Sequence, residues 1–501
     1  MPKMSPADSF HGSETIRTPI KNVAVIGAGI SGVTSAAHLI KEGIEVAVFE
    51  RTGTIGGVWY YDERVDRDPP FPNLLPPAQD WKDLEAEGLS PAEALLLHGP
   101  PGPCYAGLKN NVPTSLMKSS LLPWAEGTEE YIDQGSMVQY LQDIATLHHV
   151  TEHVQFHTRV ESVTKPAGDT QWVVKTSTLR VQGDSFVVSK KSERFDAVVV
   201  ASGHYHIPFV PEVSGLSDWK ERFPGRVFHS KSYRTPEPFR GKTVLLVGAG
   251  ASAFDIAREV DALGGKVIQS RRKSKYDLTG PRLPAAVNRV EMVAKFIANE
   301  ADGSESGFSE ASQGAIPGKI VLEDGSTLEN IDYVVIATGY ITSYPFLEGL
   351  EQPHVAWEDA GDRTLITADG YTTHNLHKDV FYIPDPTLAF IGVSHLVSTF
   401  SLFDFQAKVM AKVFAGHVRL PDDSVMKAEQ GERKARFQPG DRFHALLLGE
   451  PVYIEEVLTW VNAHLTNAGL PPIEGMDAKW FVAYDNFKAN RIPQNDFTIA
   501  T

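Results

Sequence analysis

The chain carries one passage twice. KNVAVIGAGISG (Lys21 to Gly32) returns as KTVLLVGAGASA (Lys242 to Ala253), and RFDAVVVASGH (Arg194 to His204) returns as NIDYVVIATGY (Asn330 to Tyr340). Internal repetition restricts the fold more than any local propensity does. Each copy opens on an unbroken apolar run, Val23 to Ile26 and Val244 to Val247. Such runs suit parallel strands buried on both faces. A helical stripe follows each glycine turn: Ile30, Val33, Ala37 and Ile40 before Gly43, then Phe254, Ala257, Val260 and Leu263 before Gly264 and Gly265. Glycine just past a helix suits its C-terminal cap. Strand, glycine turn, helix, strand is a βαβ unit. The expectation is an α/β chain with two Rossmann-like dinucleotide-binding domains.

Gly27, Gly29 and Gly32 form G-x-G-x-x-G. The first allows the tight turn, the second leaves room for a pyrophosphate, and the third lets helix and strand pack closely. The phosphates then meet the helix N-terminus, where free N–H groups and the dipole favour negative charge. Glu50 closes the next strand, 23 residues after Gly27, near the ~20 expected of a ribose-binding acid. A carboxylate there accepts from ribose hydroxyls and repels a 2′-phosphate, which selects FAD or NAD. The second turn reads Gly248, Gly250, Ala253. The same step lands on Arg271 within QSRRKSK, a stretch without an acid. Arg271 and Arg272 match a 2′-phosphate in charge and in bidentate geometry. Arg271, Arg272 and Lys273 can also be read as a solvated basic face, but their place at a strand end favours the phosphate. Two sites of opposite preference imply hydride passing from NADPH to a second redox cofactor, and flavin is the usual acceptor.

The 501 residues exceed one typical domain. A net charge of −16 disfavours nucleic acid and anionic membrane as partners. The single cysteine, Cys104, allows no intrachain disulfide and fits a reducing compartment. It also excludes a reductase that needs a redox cysteine pair. Residues 1–20 read as a polar tail without the apolar stretch of a secretory signal, and no apolar run approaches the ~18 residues of a spanning helix. A cytoplasmic protein is expected. His149, His153 and His157 are four apart, yet HVQFHTRVESV alternates like a strand, so a surface reading is preferred and no metal site is assigned. His204 and His206 follow the first crossover strand and carry no assignment.

FPGRVFHSKSY fits F-x-G-x-x-x-H-x-x-x-[YF] through Phe223, Gly225, His229 and Tyr233. It resembles the fingerprint of flavin-containing monooxygenases, the class B branch that oxygenates nitrogen and sulfur. The related Baeyer–Villiger enzymes end this segment in tryptophan. IGGVWYY (Ile55 to Tyr61) is similar to the family's G-G-x-W segment. YAGLKNNVPTSLM (Tyr105 to Met117) is similar to the segment beside the flavin ring, where Asn111 matches the asparagine before x-Pro. The preceding residue, often Thr or Ser in the family, is Asn110, so which amide faces the flavin stays open. LAFIGVSHLVSTFSLFDFQAKV (Leu388 to Val409) resembles the late FAD-contacting segment with Gln406. Past about Leu420 only helical patterning remains, as in Ile454, Val457, Leu458, Val461 and Leu465 ahead of Gly469.

The resemblance implies an FAD domain (21–215 and 345–501) interrupted by an NADPH domain (216–344), joined by the crossings HIPFVP and YITSYPF. Residues of about 62–104 are rich in proline and read as a loop-like insertion beside the substrate entrance. To the turn residues the resemblance adds Ser31, Arg51, Gly57, Trp59 and Gln406 on the FAD side and Ser252 on the NADPH side. It implies that NADPH reduces FAD and that oxygen forms a C4a-hydroperoxyflavin. NADP⁺ shields this adduct, and a soft nucleophile attacks it. Asn111 is expected to donate a hydrogen bond near the peroxide, and His229 to support the loop between domains. Partners would be O₂ and a small molecule, with an amine or alkaloid-like nitrogen as first guess. A homodimer is compatible. Alternatives are a Baeyer–Villiger enzyme acting on a ketone, an NADPH oxidase releasing peroxide, and a non-enzymatic NADPH sensor.

Overall fold

A computed structural model describes residues 20–76, 84, 88–272, 282–299, 314–437, 443–446 and 449–491. Both repeats fold as strand, glycine turn, helix, strand. Asn22–Ile26 leads into helix Ile30–Lys41 and strand Glu45–Phe49, and Ala197–Val200 lies parallel on its other side. Thr243–Val247, helix Ala251–Ala262, Lys266–Ser270 and Tyr333–Ile336 repeat the arrangement.

The first sheet has seven strands. In spatial order they are Leu376–His377, Phe381–Tyr382, Leu388–Phe390, Ala197–Val200, Asn22–Ile26, Glu45–Phe49 and Val154–Gln155. Period-2 alternation distributes its side chains between two cores. Val23 and Val25 pack with helices Ile30–Lys41, Gln134–Leu147 and Thr399–Phe414. Ala24, Ile26 and Phe49 pack instead with Val160, Trp172 and Phe195 of an antiparallel sheet built from Thr158–Thr164, Trp172–Gln182 and Ser185–Phe195. Burial on both faces explains the unbroken apolar runs.

The second sheet has five parallel strands, ordered Asn288–Val290, Lys266–Ser270, Thr243–Val247, Tyr333–Ile336 and Val227–His229. All five fall, in sequence, between Ala197–Val200 and Leu388–Phe390, which are spatial neighbours in the first sheet. The second unit is thus inserted between adjacent strands of the first. The two crossings pair with each other: Ile207–Pro208 runs antiparallel to Tyr340–Ile341. The sequence marked these segments only as connections.

Each repeat closes its turn in the same way. Gly27 has φ +102° and Gly248 has φ +124°, a region closed to most side chains. A β-carbon at Gly27 would lie 2.7 Å from the Ala201 carbonyl oxygen, and one at Gly248 would lie 2.2 Å from that of Ala337. The acid ahead of each crossover strand binds the start of the first strand. Asp196 accepts from the N–H of Lys21 and Asn22, and Asp332 accepts from that of Thr243. Gly32 is more constrained than its counterpart Ala253. Its β-carbon would stand 1.8 Å from the Gly27 carbonyl oxygen, whereas Ala253 is fully buried without strain being required.

Three expectations need correction. The 62–104 segment is not all loop: Pro91–His98 is a helix with a capping box between Ser90 and Glu93. Its cap is written in the sequence as Ser, Pro and Glu at N-cap, N1 and N3. In the second repeat the deeply buried stripe is Ala253, Ile256, Ala257 and Val260. Phe254 stays half-buried under the guanidiniums of Arg258 and Arg282. HVQFHTRVESV is not strand throughout, because Thr151–His153 form a 3-10 turn before the strand begins at Val154. Helix Glu450–Asn467 buries Ile454, Val457, Val461 and Leu465 as expected. Among the described residues no helix is long and apolar enough to cross a membrane, and no three His, Cys, Asp or Glu cluster as metal ligands.

The 1.8 Å approach sets a test. Gly32→Ala should cost about 2–3 kcal/mol, read as a lowered thermal midpoint. Ala253→Gly should cost only about 1 kcal/mol, the helix-propensity difference. Equal costs would refute the packing argument.

Candidate functional site

The first glycine turn meets three other segments. Gly57, with φ +57°, faces Gly29, and a β-carbon on Gly57 would sit 2.7 Å from the Gly29 Cα. Ser31 abuts Gly392, whose β-carbon would lie 2.6 Å from the Ser31 Oγ. Trp59 stands edge-on to Phe400 at 6.2 Å, at the start of helix Thr399–Phe414. Gly27, Gly29, Ser31, Gly32 and Gly57 therefore gather at the N-terminus of Ile30–Lys41, and Trp59 ends the 3-10 turn Gly57–Trp59 against the start of Thr399–Phe414.

Glu50 is buried at 6% exposure. Its Oε2 accepts from the Ala28 N–H at 2.8 Å, and its Oε1 accepts from the Thr52 N–H and hydroxyl, both at 2.8 Å. A carboxylate offers about four acceptor sites, so capacity remains for a ribose hydroxyl. Thr52, which fixes the Glu50 rotamer, was missed by sequence reasoning. Arg51 turns the other way: its Nη2 is 2.8 Å from the Nδ1 of His206. Three buried polar atoms near these turns lack hydrogen-bond partners among the described residues: Ser202 Oγ, His204 Nε2 and Gln406 Oε1. Gln406 connects to the site through Ser394, two residues beyond Gly392, and its Nε2 also donates to the Tyr453 hydroxyl at 3.0 Å. A ligand with polar edges suits this set.

The second turn is more open. Apart from its own helix and chain neighbours, no atom of the described residues lies within 4 Å of where a Gly250 β-carbon would be, so the N-terminus of Ala251–Ala262 is open toward a pyrophosphate. Ser252 is half-buried on its first turn. Arg271 follows the strand end directly and is half-buried, while Arg272 is exposed. Lys273 lies outside the described residues. The Nε of Arg271 is buried without a hydrogen-bond partner among the described residues. A cavity of about 210 Å³ opens there, lined by Arg271, Arg289, Val290, Glu291, Leu322, Asp324 and Ser326. The local sequence lacks an acid, but neighbouring strands bring in Glu291 and Asp324 together with a further arginine.

The loop from Tyr105 to Pro113 is pinned at both ends. The Tyr105 hydroxyl donates to Asp255 at 2.6 Å. Downstream, Asn110 is 3% exposed. Its amide donates to the carbonyls of Val112 and Glu130 and accepts from the Ile132 N–H at 2.6 Å. Asn110 thus closes the loop on itself, whereas Asn111 is exposed.

In the fingerprint segment, His229 is fully buried. Its Nδ1 accepts from the Lys231 N–H and its Nε2 donates to the Gly339 carbonyl, both at 3.1 Å. Burial lowers it to about 3, against the pull of that carbonyl. It is a neutral strut between Val227–His229 and the second crossing, not an acid or base. Lys231 and Arg234 pin the 62–68 segment. The Lys231 Nζ lies 2.5 Å from Asp66, and the Arg234 guanidinium donates to the Arg64 carbonyl. Of the three spaced histidines, His149 and His157 have positive φ and His149 is exposed beside Glu152. They share no helix face.

Behind the late segment lies a buried ion network. Arg433 grips Asp379 at 2.6 and 3.1 Å, and the Nδ1 of His444 donates to the same carboxylate at 2.9 Å. Burial alone would raise the Asp379 carboxyl, but Arg433 and His444 outweigh it and hold it well below the usual range. Glu450, at the start of helix Glu450–Asn467, is 2% exposed and bonded only to Ser398 among the partners the structure gives.

The sequence matches the flavin-binding monooxygenase-like family over residues 20–68, 102–282 and 315–467. The chain belongs to that family. Flavin-containing monooxygenase ustF2 of Aspergillus flavus is 38% identical over 480 residues, spanning 92% of this chain and 96% of its own. Flavin-containing monooxygenase iboF of Amanita muscaria is 29% identical, spanning 82% and 83%. The S-allyl-L-cysteine S-oxygenase from Allium sativum superposes with a TM-score of 0.67 at 25% identity, spanning 94% and 93%. This flavin monooxygenase is accordingly an NADPH-dependent oxidoreductase that works with FAD.

Burial raises Glu450 from 4.5 to about 7, opposed by the Ser398 bonds. A folded-state value above the unfolded one means that the folded protein binds the proton more tightly. Stability is then lost as pH rises through this window, by an amount on the order of 3 kcal/mol. Glu450→Gln mimics the protonated form. It should match wild type near the lower end and exceed it in thermal midpoint above the upper end. A gap that stays constant with pH would contradict the assignment.

Proposed function

We propose that this monooxygenase transfers one oxygen atom from O₂ to a soft nucleophile, the amine nitrogen or sulfur of a small molecule. Bound flavin, reduced by NADPH, supplies the electrons that activate oxygen. Gly27, Gly29, Ser31, Gly32 and Gly57 hold its pyrophosphate at the first helix N-terminus. Glu50 accepts from its ribose, and Arg51, Trp59 and Gln406 border it. Gly248, Gly250 and Ser252 hold the NADPH pyrophosphate, and Arg271 and Arg272 take the 2′-phosphate. The FAD unit comprises 21–215 and 345–501, and the NADPH unit comprises 216–344.

The observation that carries the oxygenating role is the division of labour in the Tyr105 to Pro113 loop. Asn110 is buried with its amide bonded to residues 112, 130 and 132, whereas Asn111 is exposed and holds the place before x-Pro that the family resemblance gives to the donor toward the reacting oxygen. An amide does not titrate near neutrality, so Asn111 orients and stabilises charge without moving a proton. Tyr233 supports the nitrogen- and sulfur-oxygenating branch, because it stands at the fingerprint position where the Baeyer–Villiger enzymes carry tryptophan; its hydroxyl donates to Glu259. The sulfur substrate named for the Allium relative agrees with that reading. A Baeyer–Villiger enzyme or a peroxide-releasing oxidase would be identified by product.

On a panel of amines, sulfides and ketones, an amine or sulfide should give one oxygenated product per NADPH consumed. Oxygenation of ketones alone, or peroxide in place of product throughout, would contradict the proposal. Asn111→Ala should keep NADPH oxidation but cut product per NADPH about tenfold or more, with peroxide making up the difference. Unchanged coupling would remove Asn111 from this role. Arg271→Ala loses a charged hydrogen-bond partner worth about 1.5–3 kcal/mol. Its NADPH KM should rise roughly 10- to 100-fold, with the NADH value nearly constant. Equal effects on both nucleotides would refute the phosphate assignment.

A further inference from the structure

Helix Ala251–Ala262 carries the second glycine turn at its start and two carboxylates, Asp255 and Glu259, one turn apart. Both face phenols. The Tyr105 hydroxyl donates to Asp255 Oδ2 at 2.6 Å, and the Tyr233 hydroxyl donates to Glu259. The two rings meet edge to face at 5.5 Å. Tyr105 belongs to the loop beside the first unit, whereas Tyr233 follows Val227–His229, the first strand of the second sheet in sequence. The contact continues along the backbone. Ala106 N–H donates to the Arg234 carbonyl at 2.9 Å. Gly107 lies under Glu259 so closely that a β-carbon would be 2.0 Å from its Oε1.

The loop is tied equally firmly at its far end. The Gln134 N–H donates to the Leu108 carbonyl at 3.0 Å, and Lys109 bridges to Asp133. Gln134 opens helix Gln134–Leu147, which packs in one core with helix Ile30–Lys41. A continuous mechanical path therefore joins the helix behind one glycine turn to the helix behind the other, and the Tyr105–Asp255 bond is its direct side-chain link to helix Ala251–Ala262. Burial, followed by the Asp255 charge, pushes the Tyr105 phenol far up, so it remains a donor throughout the working range.

We propose that Tyr105 is a positioning residue for hydride transfer: its bond to Asp255 fixes the NADPH-binding helix relative to the flavin-binding helix. In that transfer the nicotinamide gives up a hydride, with two electrons, and the oxidised flavin receives it. Such transfers are steep in geometry: a misplacement of about 1 Å can cost ~10²-fold. Nucleotide affinity depends on the turn and on Arg271, which the bond does not touch. The limiting rate should therefore suffer and the affinity should not.

The test is anaerobic reduction of the FAD-loaded enzyme by NADPH in a stopped-flow instrument, which does not involve oxygen or substrate. Tyr105→Phe should lower the limiting reduction rate roughly tenfold and leave the NADPH Kd within about twofold. Asp255→Ala, which removes the same bond from the other side, should match it, and the double variant should be no slower than either. Asp255→Asn keeps an acceptor oxygen and should stay near wild type. Hydrogen exchange without nucleotide provides a readout apart from turnover: in Tyr105→Phe, peptides covering 104–112 and 251–262 should both exchange faster. A limiting rate within twofold of wild type, a change confined to Kd, additive single effects or unchanged exchange would each overturn the proposal. Failure of the nitrogen or sulfur oxygenation reading would leave these anaerobic results standing.

Discussion

Two backbone carbonyls, of Ala201 and Ala337, press against glycines where no β-carbon fits. That contact sets each crossover strand against its glycine turn and aims the following helix N-terminus out of the sheet edge. The rest of the molecule depends on this placement. Strand ends then place side chains beside the turns by register alone: Glu50 after Glu45–Phe49, Arg271 after Lys266–Ser270. One backbone scaffold, used twice, differs in charge at a single corner. A carboxylate held by Ala28 and Thr52 closes one pocket, and a guanidinium whose Nε has no hydrogen-bond partner among the described residues borders the other.

Insertion of one unit between adjacent strands of the other creates a problem of relative placement. The structure meets it with several modest contacts. The crossings pair as a two-stranded ladder. Neutral His229 props the second crossing, and Lys231 and Arg234 hold the 62–68 segment. Tyr105 and Tyr233 engage one helix. Most of these contacts are buried hydrogen bonds or ion pairs, each costly to break because the partner left behind is desolvated. The late segment has its own anchor in Asp379, Arg433 and His444, which steadies the region carrying Gly392, Ser394 and Gln406.

The repeat made the fold legible. Double-sided burial writes itself as apolar runs, and the steric demands of the turns write themselves as glycine. Glu50 and Arg271 were readable because register fixes their distance from those glycines. What escaped was assembled from distant strands. Glu291 and Asp324 join Arg271 only through tertiary packing, so a stretch without acids did not mean a cavity without them. Phe254 and Ala253 are neighbours on the helix, and the buried stripe runs through Ala253, Ile256, Ala257 and Val260, one position away from the ring. The helix Pro91–His98 was legible through Ser90, Pro91 and Glu93 but was masked by the prolines around it. The pair Asn110 and Asn111 was ambiguous because the hydrogen bonds that separate them reach residues 130 and 132.

The central claim is that the two turns hold different nucleotides because their corners carry opposite charge. A crystal structure of the enzyme with FAD and NADP⁺ tests it most directly. The account predicts the FAD adenosine ribose within hydrogen-bond distance of Glu50 and the NADP⁺ 2′-phosphate against Arg271. FAD seated at Gly248, or a 2′-phosphate lying clear of both Arg271 and Arg272, would contradict it.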